Sequence, residues 1–203
     1  MTVETIPITP TLRVRIEVDR DAESPLQGED LVNITYLARS RYTLGNEPLD
    51  NESMGFIKEG IERGELVGLP VFAYIHGGIA LRAATENPFS CQWDSGLSGY
   101  AYMTRKQAFD TWGHDQGEPV PADEVLRRAL AYVTGVVDEY ASFLAGEVYG
   151  FVIERLTLSD DGEVLTAEQL DSCWGFIGDL EVCRDEAVQQ AANFVEEEDC
   201  AVH

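Results

Sequence analysis

The sequence predicts an α+β fold: an antiparallel sheet of hairpins packed with one long helix over about residues 121–145 and a C-terminal helix. Three observations predict it. Leu12, Val14, Ile16 and Val18 alternate with Arg13, Arg15 and Glu17, the period of a half-buried strand. Val71, Phe72, Tyr74, Ile75, Ile79 and Leu81 flank His76-Gly77-Gly78, the pattern of a tight hairpin. Val125, Leu126, Leu130, Val133, Val137, Tyr140 and Leu144 form a helical stripe.

The elements follow in order. The strand over 12–18 ends at the turn formers Asp19 to Pro25. Residues 31–37 fit a strand or a short helix, and 39–48 a loop tipped by Gly45-Asn46. Ser53 precedes Met54, Phe56, Ile57 and Ile61 on one helical face, which Gly64 ends. A hairpin over 69–81 is followed by a strand over 99–104, where Thr104 can cap a helix over 105–112. Residues 114–121 form a polar loop. Pro121 suits the first turn of the long helix, Asp123 and Glu124 its positive end, and Gly146 its stop. Residues 148–158 read as a strand closed by the turn Ser159-Asp160-Asp161-Gly162. Residues 173–177 can return as its partner, across an irregular stretch at 163–170 with room for a short helix. Residues 180–195 repeat at helical spacing. Residues 196–203 form an acidic tail expected to fray, because their carboxylates sit at the negative end of that helix. The whole of 1–203 is expected to be a single α+β domain.

Charge narrows the function. The chain has 203 residues, 37 acidic against 14 basic, for a net charge of −23. Residues 138–203 carry 17 acidic and 2 basic side chains, so a third of the chain holds nearly two thirds of that charge. Direct binding to nucleic acid needs Lys and Arg facing phosphates, and docking on anionic membranes needs the same; both are excluded. Basic proteins that normally hold nucleic acid are the natural partners. No secretory signal or membrane-spanning run is expected, which points to the cytoplasm. The sequence leaves monomer and dimer open.

Reactive residues are few. Cys91, Cys173, Cys183 and Cys200 form no C-x-x-C pair, and the three His show no metal-ligand spacing, so no metal is expected. Cys91 and Cys173 adjoin aromatic residues, as buried thiols do. Ser159 to Gly162 lacks the order of an EF-hand loop. There is no glycine-rich nucleotide loop, and Lys58 and Lys106 are the only lysines, so no cofactor is expected. The densest cluster is Phe89-Ser90-Cys91-Gln92-Trp93-Asp94-Ser95-Gly96. One reading makes Cys91 a nucleophile, His76 its base and Asp94 the orienting acid. The other makes the run a turn in which Trp93 packs, Asp94 and Ser95 bond local backbone and Gly96 takes an unusual dihedral. Asp171-Ser172-Cys173-Trp174-Gly175 echoes this run; if the two meet, they would form a ligand pocket or a satisfied aromatic and polar core network, and the core network is the favoured reading.

Several of these segments carry a resemblance. Asp19 to Pro25, Arg41-Tyr42-Thr43-Leu44-Gly45, Leu69 to His76, Phe89 to Gly96, Glu147-Val148-Tyr149-Gly150 and Asp171 to Phe176 stand in that order in the chain. They resemble an uncharacterised protein family of bacteriophages, plasmids and other mobile elements. Where members have Asp-His-Ser-Gly this chain has Ile75-His76-Gly77-Gly78, and residues 155–170 look like an acidic insertion. The resemblance implies a genetic setting beside antirestriction and other anti-defence genes.

Charge and resemblance together lead to an expected function. The chain is expected to act as an anti-CRISPR or antirestriction inhibitor in the host bacterial cytoplasm. By DNA mimicry it would occupy the nucleic-acid surface of a basic defence complex. The carboxylates expected to imitate phosphates are Asp138, Glu139, Glu147, Glu154, Asp160, Asp161, Glu163, Glu168, Asp179, Glu181, Asp185 and Glu186. The alternative is a small enzyme using Cys91, His76 and Asp94 on a defence signal or partner.

Overall fold

The computed structural model of the chain describes residues 1–37 and 41–201, with side chains as far as Val195. In chain order its elements are β1 (Thr2–Thr9), β2 (Leu12–Val18), β3 (Asn33–Leu37), β4 (Glu47–Leu49), α1 (Asn51–Glu62), β5 (Leu66–Ile75), β6 (Ile79–Ala83), β7 (Ser95–Thr104), α2 (Arg105–Trp112), β8 (His114–Asp115), β9 (Glu118–Pro119), α3 (Ala122–Ala145), β10 (Val148–Leu158), β11 (Val164–Ile177) and α4 (Leu180–Ala201). The α+β class is as expected, with both the long helix and the C-terminal helix present. Where the sequence reading took 1–203 as one domain, the chain divides into two compact units. One is built from Met1–Glu23 and Gly146–His203, the other from Ser24–Ala145. The cause is strand pairing: β2 joins β10, far along the chain, so both ends of the chain share one sheet.

The first unit is a four-stranded antiparallel sheet in the order β1-β2-β10-β11 with α4 on one face. Leu12, Val14 and Ile16 of β2 and Phe151 and Ile153 of β10 are wholly buried against Cys183, Ala187 and Ala191 of α4. Those three small residues recur every four positions, so the helix lies close to the sheet. Each large side chain so buried contributes about 1.5–3 kcal/mol. Arg184 of α4 donates two hydrogen bonds to Glu4 of β1, at 2.6 and 3.1 Å. The helix runs to Ala201, and Val202 and His203, the end of the tail expected to fray from residue 196, lie outside the described residues. Strand β1 has no counterpart in the sequence reading. Strand β11 corrects it further: 163–170 is neither irregular nor helical, and β11 pairs with β10 from Val164 to Ile177 through three register shifts.

The second unit has a five-stranded sheet in the order β4-β3-β7-β5-β6, packed against α3. Its core joins Ile34, Val71, Leu81, Ala101 and Met103 to Val125, Ala129, Val133, Val137 and Tyr140; of the expected stripe Leu126, Leu130 and Leu144 are only half-buried, and Ala129, outside it, is buried. Buried Thr35 ties β3 to β7, its hydroxyl donating to Tyr100 O and accepting from Tyr100 N. Strand β3 settles the choice left open at 31–37. The loop expected over 39–48 lies partly outside the described residues and ends in β4, which pairs parallel to β3. Helix α1 is capped by Asp50, whose side chain accepts from Ser53 N, three residues earlier than the expected start. The polar loop at 114–121 is a small hairpin, β8–β9, turned by Gln116 and Gly117 at positive φ.

Candidate functional site

Cys91, His76 and Asp94 do come together, in the second unit. The β5–β6 turn holds His76 N against Gly78 O, and Ile75 N donates to Asp94 O at 2.9 Å, which fixes Asp94 beside the turn. Asp94 Oδ2 then lies 3.2 Å from His76 Nδ1 and 3.5 Å from Cys91 Sγ. The order is thiol, carboxylate, imidazole. A nucleophilic triad needs the imidazole in the middle, where it can take the thiol proton. No hydrogen bond among the described residues joins Cys91 to His76. The turn reading accounts for the neighbours: Ser95 Oγ donates to Cys91 O at 2.5 Å and accepts from Asn87 Nδ2 at 3.0 Å.

Two expectations for this run fail. Trp93 does not pack; it is 97% exposed. Gly96 sits in ordinary strand pairing opposite Ala73, with no positive φ. Beside Trp93 is an open concavity of about 500 Å³ lined by Leu37, Leu44, Ala73, Ile75 and Leu97. Cys91 and Cys173 are half-buried rather than buried. The buried thiol is Cys183, pushed up to about 11 by burial and by the neighbouring Cys173.

The second motif belongs to the other unit and to a different sheet. Its logic is local. Trp174 stands opposite Gly150 in the β10–β11 ladder, and a Cβ on Gly150 would lie 2.2 Å from the indole Cε3. Gly150 is therefore the platform for Trp174, and Gly175 beside it has a φ of +90° that suits glycine. Trp174 stays 44% exposed. With Glu17, Val18, Asp19, Arg20 and Asp21 it lines a second concavity of about 510 Å³.

The expected phosphate-mimicking residues sort by unit and by partner. Asp138 and Glu139 are exposed on α3 in the second unit, and Asp138 lies 3.6 Å from Arg82. In the first unit Glu147, Asp160, Asp161, Glu163, Glu168, Asp179, Glu181 and Asp185 are exposed. Glu186 is half-buried and accepts from Gln190. Asp179 also caps α4, accepting from Val182 N. Glu154 departs from the set. It is 7% exposed and held by Arg13 at 2.8 Å and Arg15 at 3.0 Å. Burial pushes its carboxyl up, but the hydrogen bonds from Arg15 and Arg13 outweigh that and hold it below its ordinary value. It is a structural ion pair, unavailable to a partner.

The first unit carries 20 acidic and 5 basic residues, a net of −15. Arg13, Arg15 and Arg184 are spent on Glu154, Glu17 and Glu4. Glu168 stands opposite Arg155 in the β10–β11 ladder, and Arg184 lies within electrostatic reach of Glu181 and Asp185; these two arginines are the only Lys or Arg of 146–203. Sequence reasoning missed Asp171, exposed on β11, because its motif read as core. It also missed Asp19 and Asp21, whose place beside Trp174 comes only from the pairing of β2 with β10.

Among the described residues no group of three or more His, Cys, Asp or Glu is placed to hold a metal ion, and no helix is long and apolar enough to cross a membrane. Compared with protein-family models, with curated proteins and with solved structures, the chain finds no match.

Proposed function

We propose that the chain is an anti-defence inhibitor of mobile-element type, binding the Lys/Arg-lined nucleic-acid surface of a bacterial defence complex through the acidic side chains of its first unit. The observation that carries this reading is the excess of exposed carboxylates between Asp160 and Asp185 over the only two basic residues of 146–203, Arg155 and Arg184. Leaving like charges unneutralised on a folded surface costs stability, so their retention calls for a use. The resemblance to a mobile-element family supplies the defence context.

Reversing Asp160, Asp161, Glu163 and Glu168 to Lys tests it in a plasmid or phage restriction assay. The expected result is inhibition weakened at least about tenfold, with the fold unchanged by circular dichroism. Unchanged inhibition removes this surface from the account.

The alternative, an enzyme built on Cys91, His76 and Asp94, draws on their meeting at Asp94. It ranks second because the imidazole does not reach the thiol. Cys91→Ala is expected to keep full inhibition; its loss in a folded variant would favour the enzyme.

A further inference from the structure

The β10–β11 hairpin reaches beyond the rest of its sheet. Strand β2 pairs with β10 only from Tyr149 to Arg155, whereas β10 and β11 pair on to Leu158 and Val164. The turn beyond is closed by Ser159, whose N donates to Glu163 O and whose Oγ accepts from Glu163 N, with Gly162 at φ +81°. From Val164 to Gln169 every residue of β11 is exposed, including Leu165 at 63% and Val164 at 49%. β11 is also the last strand of its sheet, and among the described residues nothing pairs with its outer edge. An edge strand presents its outward N–H and C=O groups as a template for another strand.

The edge is selective. Register shifts at Leu165 and Leu170 bracket the regular stretch Thr166–Gln169, so it offers a short pairing segment in a fixed place. Glu168 lies within that segment, and Glu163 and Asp171 flank it. A second copy of this chain would set the same carboxylates, on units of net charge −15, against each other. Like charges across a strand pair destabilise it, and opposite charges stabilise it.

We propose that the outer edge of β11 takes up a short extended segment bearing Lys or Arg from the basic partner protein, as an added strand. The proposal rests on the acidic-interaction reading and deepens it. Main-chain hydrogen bonds to 166–169 supply registration, Val164 and Leu165 supply apolar contact, and Glu163, Glu168 and Asp171 select for positive charge.

The test uses the full chain and two eight-residue peptides alternating Lys with Val. One peptide is unmodified; the other carries a methyl on every interior backbone nitrogen, which keeps the charge and removes the strand donors. Binding is read by calorimetry, and amide hydrogen exchange locates it. The expected result is that the unmodified peptide binds, protects amides within 164–171, and binds about tenfold or more tightly than its methylated counterpart. Equal binding of both peptides, or protection elsewhere, overturns the edge proposal while leaving the charge reading intact. Failure of both peptides to bind also overturns it, and the restriction assay with the four-lysine variant then judges the charge reading separately. Protection of 164–171 that rises with protein concentration alone identifies a second copy as the occupant, and likewise overturns it.

Discussion

Gly150 shows how much a single position decides. Its missing side chain is the space on which Trp174 rests, so Gly150→Ala must displace the indole or bend β10. The expected cost is about 1–3 kcal/mol, read by chemical denaturation with a change in tryptophan emission. Glu154 makes the complementary case. Glu154→Gln leaves Arg13 and Arg15 without their shared anion, an expected loss of about 2–3 kcal/mol at pH 7. Its carboxyl titrates below the ordinary 4.5 when folded, so the stability it contributes is full above that value and is lost as pH falls through the folded one. The gap between wild type and Glu154→Gln is therefore expected to narrow between pH 5 and pH 3 (about the carboxylate range). Neither role was legible in the sequence. Gly150 sits in Val148-Tyr149-Gly150, and Trp174 comes 24 positions later; only the ladder makes them neighbours. Glu154 read as one acid among many because Arg13, 141 positions away, is invisible to local reasoning.

At the scale of elements, local chemistry was the legible part. Thr104 forms a capping box with Gln107, both hydrogen bonds present, and α2 begins where expected. Thr104→Ala is expected to cost about 1 kcal/mol by thermal or chemical unfolding. The long helix, its stop at Gly146 and the β5–β6 turn likewise follow from periodicity and turn residues. Strand β11 did not, for a physical reason. Thr166-Ala167-Glu168-Gln169 is exposed on both faces, so nothing selects an alternation of apolar and polar residues there. Its strand state is imposed by β10, which is apolar and easily read. The same exposure leaves its edge open to a partner. At the candidate catalytic run, the sequence brought the right three residues together but not their order, which depends on the backbone link between Ile75 and Asp94.

At the scale of the molecule, charge is the organising property. Composition alone showed the excess, which runs against the Lys and Arg contacts that a direct grip on nucleic acid needs. It could not show that the excess concentrates in a unit assembled from both chain ends, since that depends on the pairing of β2 with β10. A net charge of −23 repels itself, and salt screens that repulsion over about 10 Å at 0.1 M. The melting temperature is therefore expected to rise from low salt to about 0.5 M NaCl, while partner binding weakens over the same range. That opposition separates screening of the protein from screening of its complex. The most direct measurement is affinity capture from a bacterial host lysate at low and high salt, with the wild-type chain and the Asp160/Asp161/Glu163/Glu168→Lys variant side by side. The account predicts a nucleic-acid-binding defence subunit retained by the wild type at low salt, released at high salt or by added duplex DNA, and absent from the variant. Retention by the variant equal to that of wild type, or no such subunit at low salt, would contradict it.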